Sequence, residues 1–197
     1  MTRIELSVTG QAPPERADAA RNRRKILDAA ARLVAEQGPQ AVTMNAVAHA
    51  AGMGVGTVYR RFGDVSQLLF ALLDDAEQRF QESFLTGPPP LGPGAPAAER
   101  LRAFLHALAD RIIDQIAIMS MAEAASPGAR YRSGVYGATY AHVAMLLREA
   151  KPGSDPAVAA HLLLGPFVPS LFEHLTVERK VTPERIKSGI DELLRGL

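Results

Sequence analysis

Residues 55–64 read VGTVYRRFGD. Two neighbouring cations, Arg60 and Arg61, follow the phenol of Tyr59, and Gly54 and Gly56 flank Val55 just before Thr57. Guanidinium and phenol groups at this spacing do not form an acid–base pair. They form a surface that takes up phosphate oxygens. Each glycine lowers helix propensity by about 1 kcal/mol relative to alanine, but it leaves the start of a helix slim. A helix that is slim at its start and basic at its end suits the major groove of duplex DNA, which is about 12 Å wide. On that reading Gly54 and Gly56 let the backbone come close. Thr57 offers a hydroxyl and a methyl to phosphate or thymine, and Tyr59 lies on the sugar-phosphate wall. Val58 and Phe62, four apart, point the other way and hold the helix to its own domain.

Catalytic constellations are not found. His49, His106, His142, His161 and His174 never fall at a ligand spacing such as HxxxH. No GxSxG and no phosphate loop occurs. The 197 residues include no cysteine, which removes disulfides, thiolate metal ligands and cysteine nucleophiles. The expectation is a protein that is not an enzyme and has no cofactor and no metal. Apolar residues make up 47% and charged residues 22%. There is no run of about 18 apolar residues and no apolar signal core at the start. No membrane partner is therefore expected, and a cytoplasmic location fits. Net charge is +1. Through residue 64 there are nine Lys/Arg against six Asp/Glu, a net of +3; beyond it there are thirteen against fifteen, a net of −2. The sharpest local cluster is Arg21, Arg23, Arg24 and Lys25.

The elements that must position these groups are helical. Residues 1–20 carry no sustained period and read as a flexible, basic-ended arm. Ile26, Leu27, Ala30, Leu33 and Val34 then share one helical face, and Gly38-Pro39 stops that helix. Thr43 is a good N-cap for a two-turn helix that begins Met44-Asn45 and closes at Gly52. Residues 55–62 form the third short helix. Asp64 caps a fourth, in which Val65, Leu68, Leu69, Leu72, Leu73, Ala76 and Phe80 repeat at the helical period. Five prolines and three glycines within residues 87–96 read as an extended surface linker. Further helices follow near 97–125, 130–150, from Asp155 onward, and from Pro183 behind a Thr182 N-cap. The fold class is all-α. The expected division is an arm (1–20), a helix-turn-helix domain (21–64) and a larger helical bundle (65–197).

Two short helices joined by a tight glycine-containing turn make a helix-turn-helix, whose second helix enters the major groove. Residues 29–69, AAARLVAEQGPQAVTMNAVAHAAGMGVGTVYRRFGDVSQLL, resemble the DNA-binding region of TetR-family transcriptional repressors. The resemblance implies a homodimer gripping a palindromic double-stranded DNA operator. It also implies a C-terminal domain that binds a small-molecule inducer and pairs the subunits through its last helices. Carried onto this chain, Thr43 caps the second helix and touches phosphate, with Asn45 beside it. Val55, Gly56 and Thr57 face the bases, and Tyr59 and Arg60 hold the backbone. Family members often carry lysine where this chain has Val55 and Val65. Phosphate grip is then expected from Arg61 and from the arm at Arg21, Arg23, Arg24 and Lys25.

In the second half, Phe104, Ile113, Ile116, Met119, Met121, Tyr136, Tyr140 and Phe167 are candidates either for ordinary core or for a pocket. Such a pocket takes an apolar or aromatic ligand, with His106, His142, Tyr136 and Tyr140 as polar handles. Residues 162–175, LLLGPFVPSLFEHL, are apolar beyond the needs of one face and read as a buried helix kinked at Pro166. With the last helix it offers a dimer seam through Leu164, Val168, Leu171, Phe172, Leu175, Ile190, Leu193 and Leu194. A ligand- or protein-binding helical adaptor without DNA binding is the alternative, and an activator remains as open as a repressor.

Overall fold

A computed structural model describes residues 14–125, 131, 133–153 and 155–195, with the side chains of 14–17 and 121–125 outside the description. The ordered elements are α1 (Pro14–Gln37), a 3₁₀ turn (Pro39–Ala41), α2 (Met44–Ala51), α3 (Val55–Phe62), α4 (Val65–Leu85), α5 (Ala97–Ala125), α6 (Gly134–Ala150), α7 (Pro156–Leu164), α8 (Pro169–Glu173), a π turn (His174–Glu178) and α9 (Pro183–Leu194). Among the described residues there is no strand. Nor, among those residues, is any single helix long and apolar enough to cross a membrane.

The chain divides into two compact units, Met1–Leu72 and Leu73–Leu197. The boundary lies inside α4, eight residues beyond the division expected after Asp64. The first unit keeps three buried leucines of that helix: Leu68, Leu69 and Leu72.

In the first unit, Ile26, Leu27, Ala29 and Ala30 of α1 are fully buried. Val42, Met44, Val47, Ala48, Val58 and Phe62 complete the buried set from the elements that follow. Gly38 ends α1 at φ 83°, a left-handed value glycine adopts without strain, and its N–H reaches the Val34 carbonyl at 2.9 Å. Thr43 Oγ1 accepts the Ala46 N–H at 3.1 Å and so caps α2. Asp64 Oδ1 accepts the Gln67 N–H at 2.8 Å and caps α4. The flexible arm gives way sooner than residue 20. Pro14 opens α1 with its φ pre-set for a helix, and residues 14–20 are already helical. The rest of the arm, residues 1–13, lies outside the described residues.

The second unit has a core in which the Phe80, Phe84 and Phe104 rings pack with centroids 5.0–5.2 Å apart. Leu101, Leu105, Leu108, Ile112, Val143, Leu146, Leu147 and Leu164 join them. The proline-rich stretch 87–96 is a folded turn and not the extended linker its composition suggests. Its glycines give the reason. The Gly92 N–H meets the Pro88 carbonyl at 2.9 Å, and a β-carbon on Gly92 would collide with the Gly87 carbonyl. Leu91 packs on the core. Replacing Gly92 with alanine is therefore expected to destabilise this unit by about 1–3 kcal/mol, measured by urea unfolding. An unchanged midpoint would show that the turn opens freely.

The helix expected to kink at Pro166 is broken there. α7 ends at Leu164, Val168 is extended (φ −116°, ψ 141°), and Pro169 opens α8 from the first helical position. Pro166 and Pro169 both lack an N–H, so the break satisfies the backbone better than a kink. Nor is the segment buried on all sides: Leu162 is 72% exposed. On α6, Val135 is exposed while Tyr136 is buried.

Candidate nucleic-acid interface

α3 is eight residues long and is bounded by Gly54, extended at φ −68°, ψ 136°, and Gly63 at φ 81°. Val58 is fully buried and Phe62 nearly so, as their four-residue spacing requires. On the opposite side Val55, Gly56, Tyr59, Arg60 and Arg61 are exposed, and Thr57 is half-buried. Tyr59 is 52% exposed, so its ring is not a packing residue of the unit. Thr43 and Asn45, at the start of α2, are exposed as well. α3 has no side-chain cap, and its Thr57 N–H meets the Gly54 carbonyl at 2.9 Å.

The two glycines are the informative residues. A β-carbon at Gly54 or at Gly56 would meet nothing within 4 Å. Neither has a positive φ. Nothing in the chain's own packing or backbone geometry calls for glycine at these places, although glycine at 56 weakens the helix.

The cations do not all behave as expected. Arg61 donates to the Ala19 carbonyl on α1, so it clasps two elements of its own unit. Arg21 is ion-paired with Asp18, one turn earlier. Arg60, Arg24 and Lys25 are exposed and Arg23 is half-buried. Arg60 is thus the cation of α3 left facing outward.

In the second unit, the proposed pocket residues Phe104, Tyr136 and Phe167 are buried in the core, with Ile113, Ile116, Met119 and Tyr140 packed against it. The Met121 side chain lies outside the described residues. Of the polar handles, His106 is engaged elsewhere. Its Nε2 lies 2.7 Å from Asp191, which also receives two hydrogen bonds from Arg102, at 2.7 and 2.6 Å. Arg102 first, and His106 with it, holds the Asp191 carboxyl down to about 2 against the opposing effect of burial. This clasp joins α5 to α9 beside an open depression of about 360 Å³ that Leu194 and Arg195 help to line. Sequence reading missed His161. Its Nδ1 lies 2.7 Å from the Tyr136 hydroxyl, and its ring stacks on Tyr140 at 4.3 Å. The signal was faint, because Tyr136 and His161 are 25 residues apart on different helices.

The expected dimer residues divide by burial within the subunit. Leu164, Phe172 and Ile190 are buried in the subunit's own core, and Val168, Leu171, Leu175 and Leu194 are half-buried. Of the eight, Leu193 is the one left exposed, at 64%. Val158 and Leu162, one turn apart on α7, are exposed apolar residues absent from the expected set.

A family model described as bacterial regulatory proteins, tetR family, matches residues 26–72. Over those residues, about a quarter of the chain, the sequence is similar to that family. The HTH-type transcriptional regulator SAB2452 of Staphylococcus aureus (strain bovine RF122 / ET3-1) is 39% identical over 71 residues, which is 36% of each chain. This chain thus spans about a third of the length of that curated relative. Solved structures share the fold over most of the chain. A putative transcriptional regulator from Saccharomonospora viridis in complex with choline has a TM-score of 0.70 at 20% identity, covering 89% of this chain and 96% of that one. AibR, in complex with isovaleryl coenzyme A and operator DNA, has a TM-score of 0.55 at 22% identity, covering 86% and 95%. The matched residues contain the whole capped α2–turn–α3 unit described above.

Proposed function

We propose that the chain is a ligand-responsive, sequence-specific DNA-binding transcriptional regulator that acts as a cytoplasmic homodimer. In this reading it is a repressor, released from a palindromic operator when a small apolar or aromatic molecule binds the second unit. The observation that carries the proposal is the pair Gly54 and Gly56, which the chain's own packing does not require. They sit at the open start of a helix whose exposed face bears Tyr59 and Arg60. A surface that must meet a close partner accounts for them, and the major groove is such a partner. The tetR-family match over residues 26–72 supports the same reading. So do structural neighbours bound to operator DNA or to small molecules. Val158, Leu162 and Leu193 are exposed apolar side chains that a second copy would cover.

Selection of random duplex DNA on the purified protein tests the proposal. The wild-type chain is expected to enrich a palindromic consensus, and Tyr59→Ala to lose it. No enrichment by the wild type would sink the reading in favour of an adaptor. On the selected site the two arginines should separate. Arg60→Gln should weaken binding across sequences and reduce the salt slope by about 1. Arg61→Gln should chiefly lower the melting temperature of the first unit, because its contact is the Ala19 carbonyl.

A further inference from the structure

Three buried nitrogens in the second unit make no hydrogen bond among the described residues: Arg111 Nε, which belongs to the side chain ion-paired with Glu77, and Arg100 Nε on α5 and His142 Nε2 on α6. Buried polar groups in folded proteins are nearly always satisfied, so each such nitrogen calls for a reason. The His142 side chain is 7% exposed, and its ring lies against Phe84 and Phe104 at centroid distances of 4.4 and 4.8 Å. Arg100 precedes Phe104 by four residues on α5, so the two project from one face of that helix. The Arg100 charge reaches His142. Burial first, and this charge second, hold the imidazole down at about 4, so it is neutral at pH 7. A neutral imidazole in its Nε2–H tautomer donates one hydrogen bond, and a guanidinium Nε–H donates another. Among the described residues no carboxylate forms an ion pair with Arg100. Two shielded donors, one on a cation without a counter-ion, beside a floor of phenylalanine rings, match an oxyanion that carries an apolar body.

We propose that Arg100 and His142 together hold the carboxylate of an apolar effector whose body lies against Phe84 and Phe104. This deepens the ligand-responsive reading and rests on it for its regulatory meaning, while the binding itself can be tested alone.

Decanoate serves as the probe, with decanol as its uncharged match and inorganic phosphate as a bare anion. Calorimetric titration of the full-length protein should show decanoate binding at least tenfold tighter than decanol, with phosphate binding weakest. Arg100→Met and His142→Phe should each weaken decanoate at least tenfold and leave decanol unchanged. Both variants should melt no lower than wild type, since each replaces an unmet polar atom by an apolar one. Should His142→Phe fail to fold, His142→Gln keeps an N–H donor and should bind decanoate within a few-fold of wild type. Equal affinity for decanoate and decanol, decanoate affinity unmoved by the variants, or no decanoate binding would overturn the proposal and leave an enclosed water as the partner of these nitrogens. Decanoate binding of the expected pattern in a protein that selects no DNA would refute the regulator reading and leave this site standing. DNA selection without decanoate binding would do the reverse.

Discussion

Arg111→Met is expected to cost the second unit about 3–5 kcal/mol of stability, while the double substitution Glu77→Leu, Arg111→Met is expected to cost almost nothing. Glu77 on α4 and Arg111 on α5 lie in the second unit, with side chains only 8% and 12% exposed and 2.7 Å between Oε2 and Nη2. Among the described residues that oxygen makes no aligned hydrogen bond and Arg111 Nε has no hydrogen-bond partner, so the contact is ionic and incompletely satisfied. Burial pulls the Arg111 guanidinium below its usual value, and the Glu77 charge opposes the shift. Phe80 adds its ring face at 5.6 Å from the guanidinium carbon. Removing one partner leaves the other as an uncompensated buried charge, which is the expensive state. Removing both exchanges a poorly aligned pair for apolar contact. Urea unfolding of the two singles and the double at one protein concentration should give a coupling close to the sum of the two single losses, about 6–10 kcal/mol in magnitude if Glu77→Leu costs as much as Arg111→Met. If the double instead loses the sum of the singles, the two charges are not coupled and the argument fails.

This pair also shows where sequence reading stopped. Leu73, Glu77, Phe80 and Phe84 lie at helical spacing, and so do Phe104, Leu108, Arg111 and Gln115. A charge therefore interrupts each apolar stripe, and the interruption was visible. What periodicity does not carry is the partner. Glu77 and Arg111 are 34 residues apart, and nothing local relates them. The first unit was more legible because its signals are local: Thr43 caps α2, Asp64 caps α4, Gly38 stops α1, and Val58 with Phe62 sets the inward face of α3. The seam residues were less so for a physical reason. A leucine facing its own core and a leucine facing a second copy make the same apolar pattern. Leu164 and Leu162 are two residues apart, and one is fully buried while the other is 72% exposed. The fate of Arg61 was likewise hidden, since its acceptor is a backbone carbonyl 42 residues earlier.

Gly56→Ala is expected to move stability and DNA binding in opposite directions. Position 56 is helical and solvent-exposed, and a β-carbon there meets no atom of the chain within 4 Å. Alanine should therefore raise the stability of the first unit by about 1 kcal/mol through helix propensity and a narrower unfolded ensemble. In a unit of this size that shift is about 4–8 °C in melting temperature. The same methyl group projects from the slim start of α3, next to Val55 and one turn from Arg60. If that surface approaches base edges, the methyl occupies space the duplex needs, and operator affinity should fall roughly tenfold, about 1.4 kcal/mol. A glycine kept for folding would show the other pattern, with alanine lowering both properties. A glycine kept for neither would show a more stable protein with unchanged affinity. Melting and DNA titration on one preparation of the variant thus separate three explanations of a single residue. Only a gain in melting temperature paired with a loss of affinity places Gly56 at the point of contact.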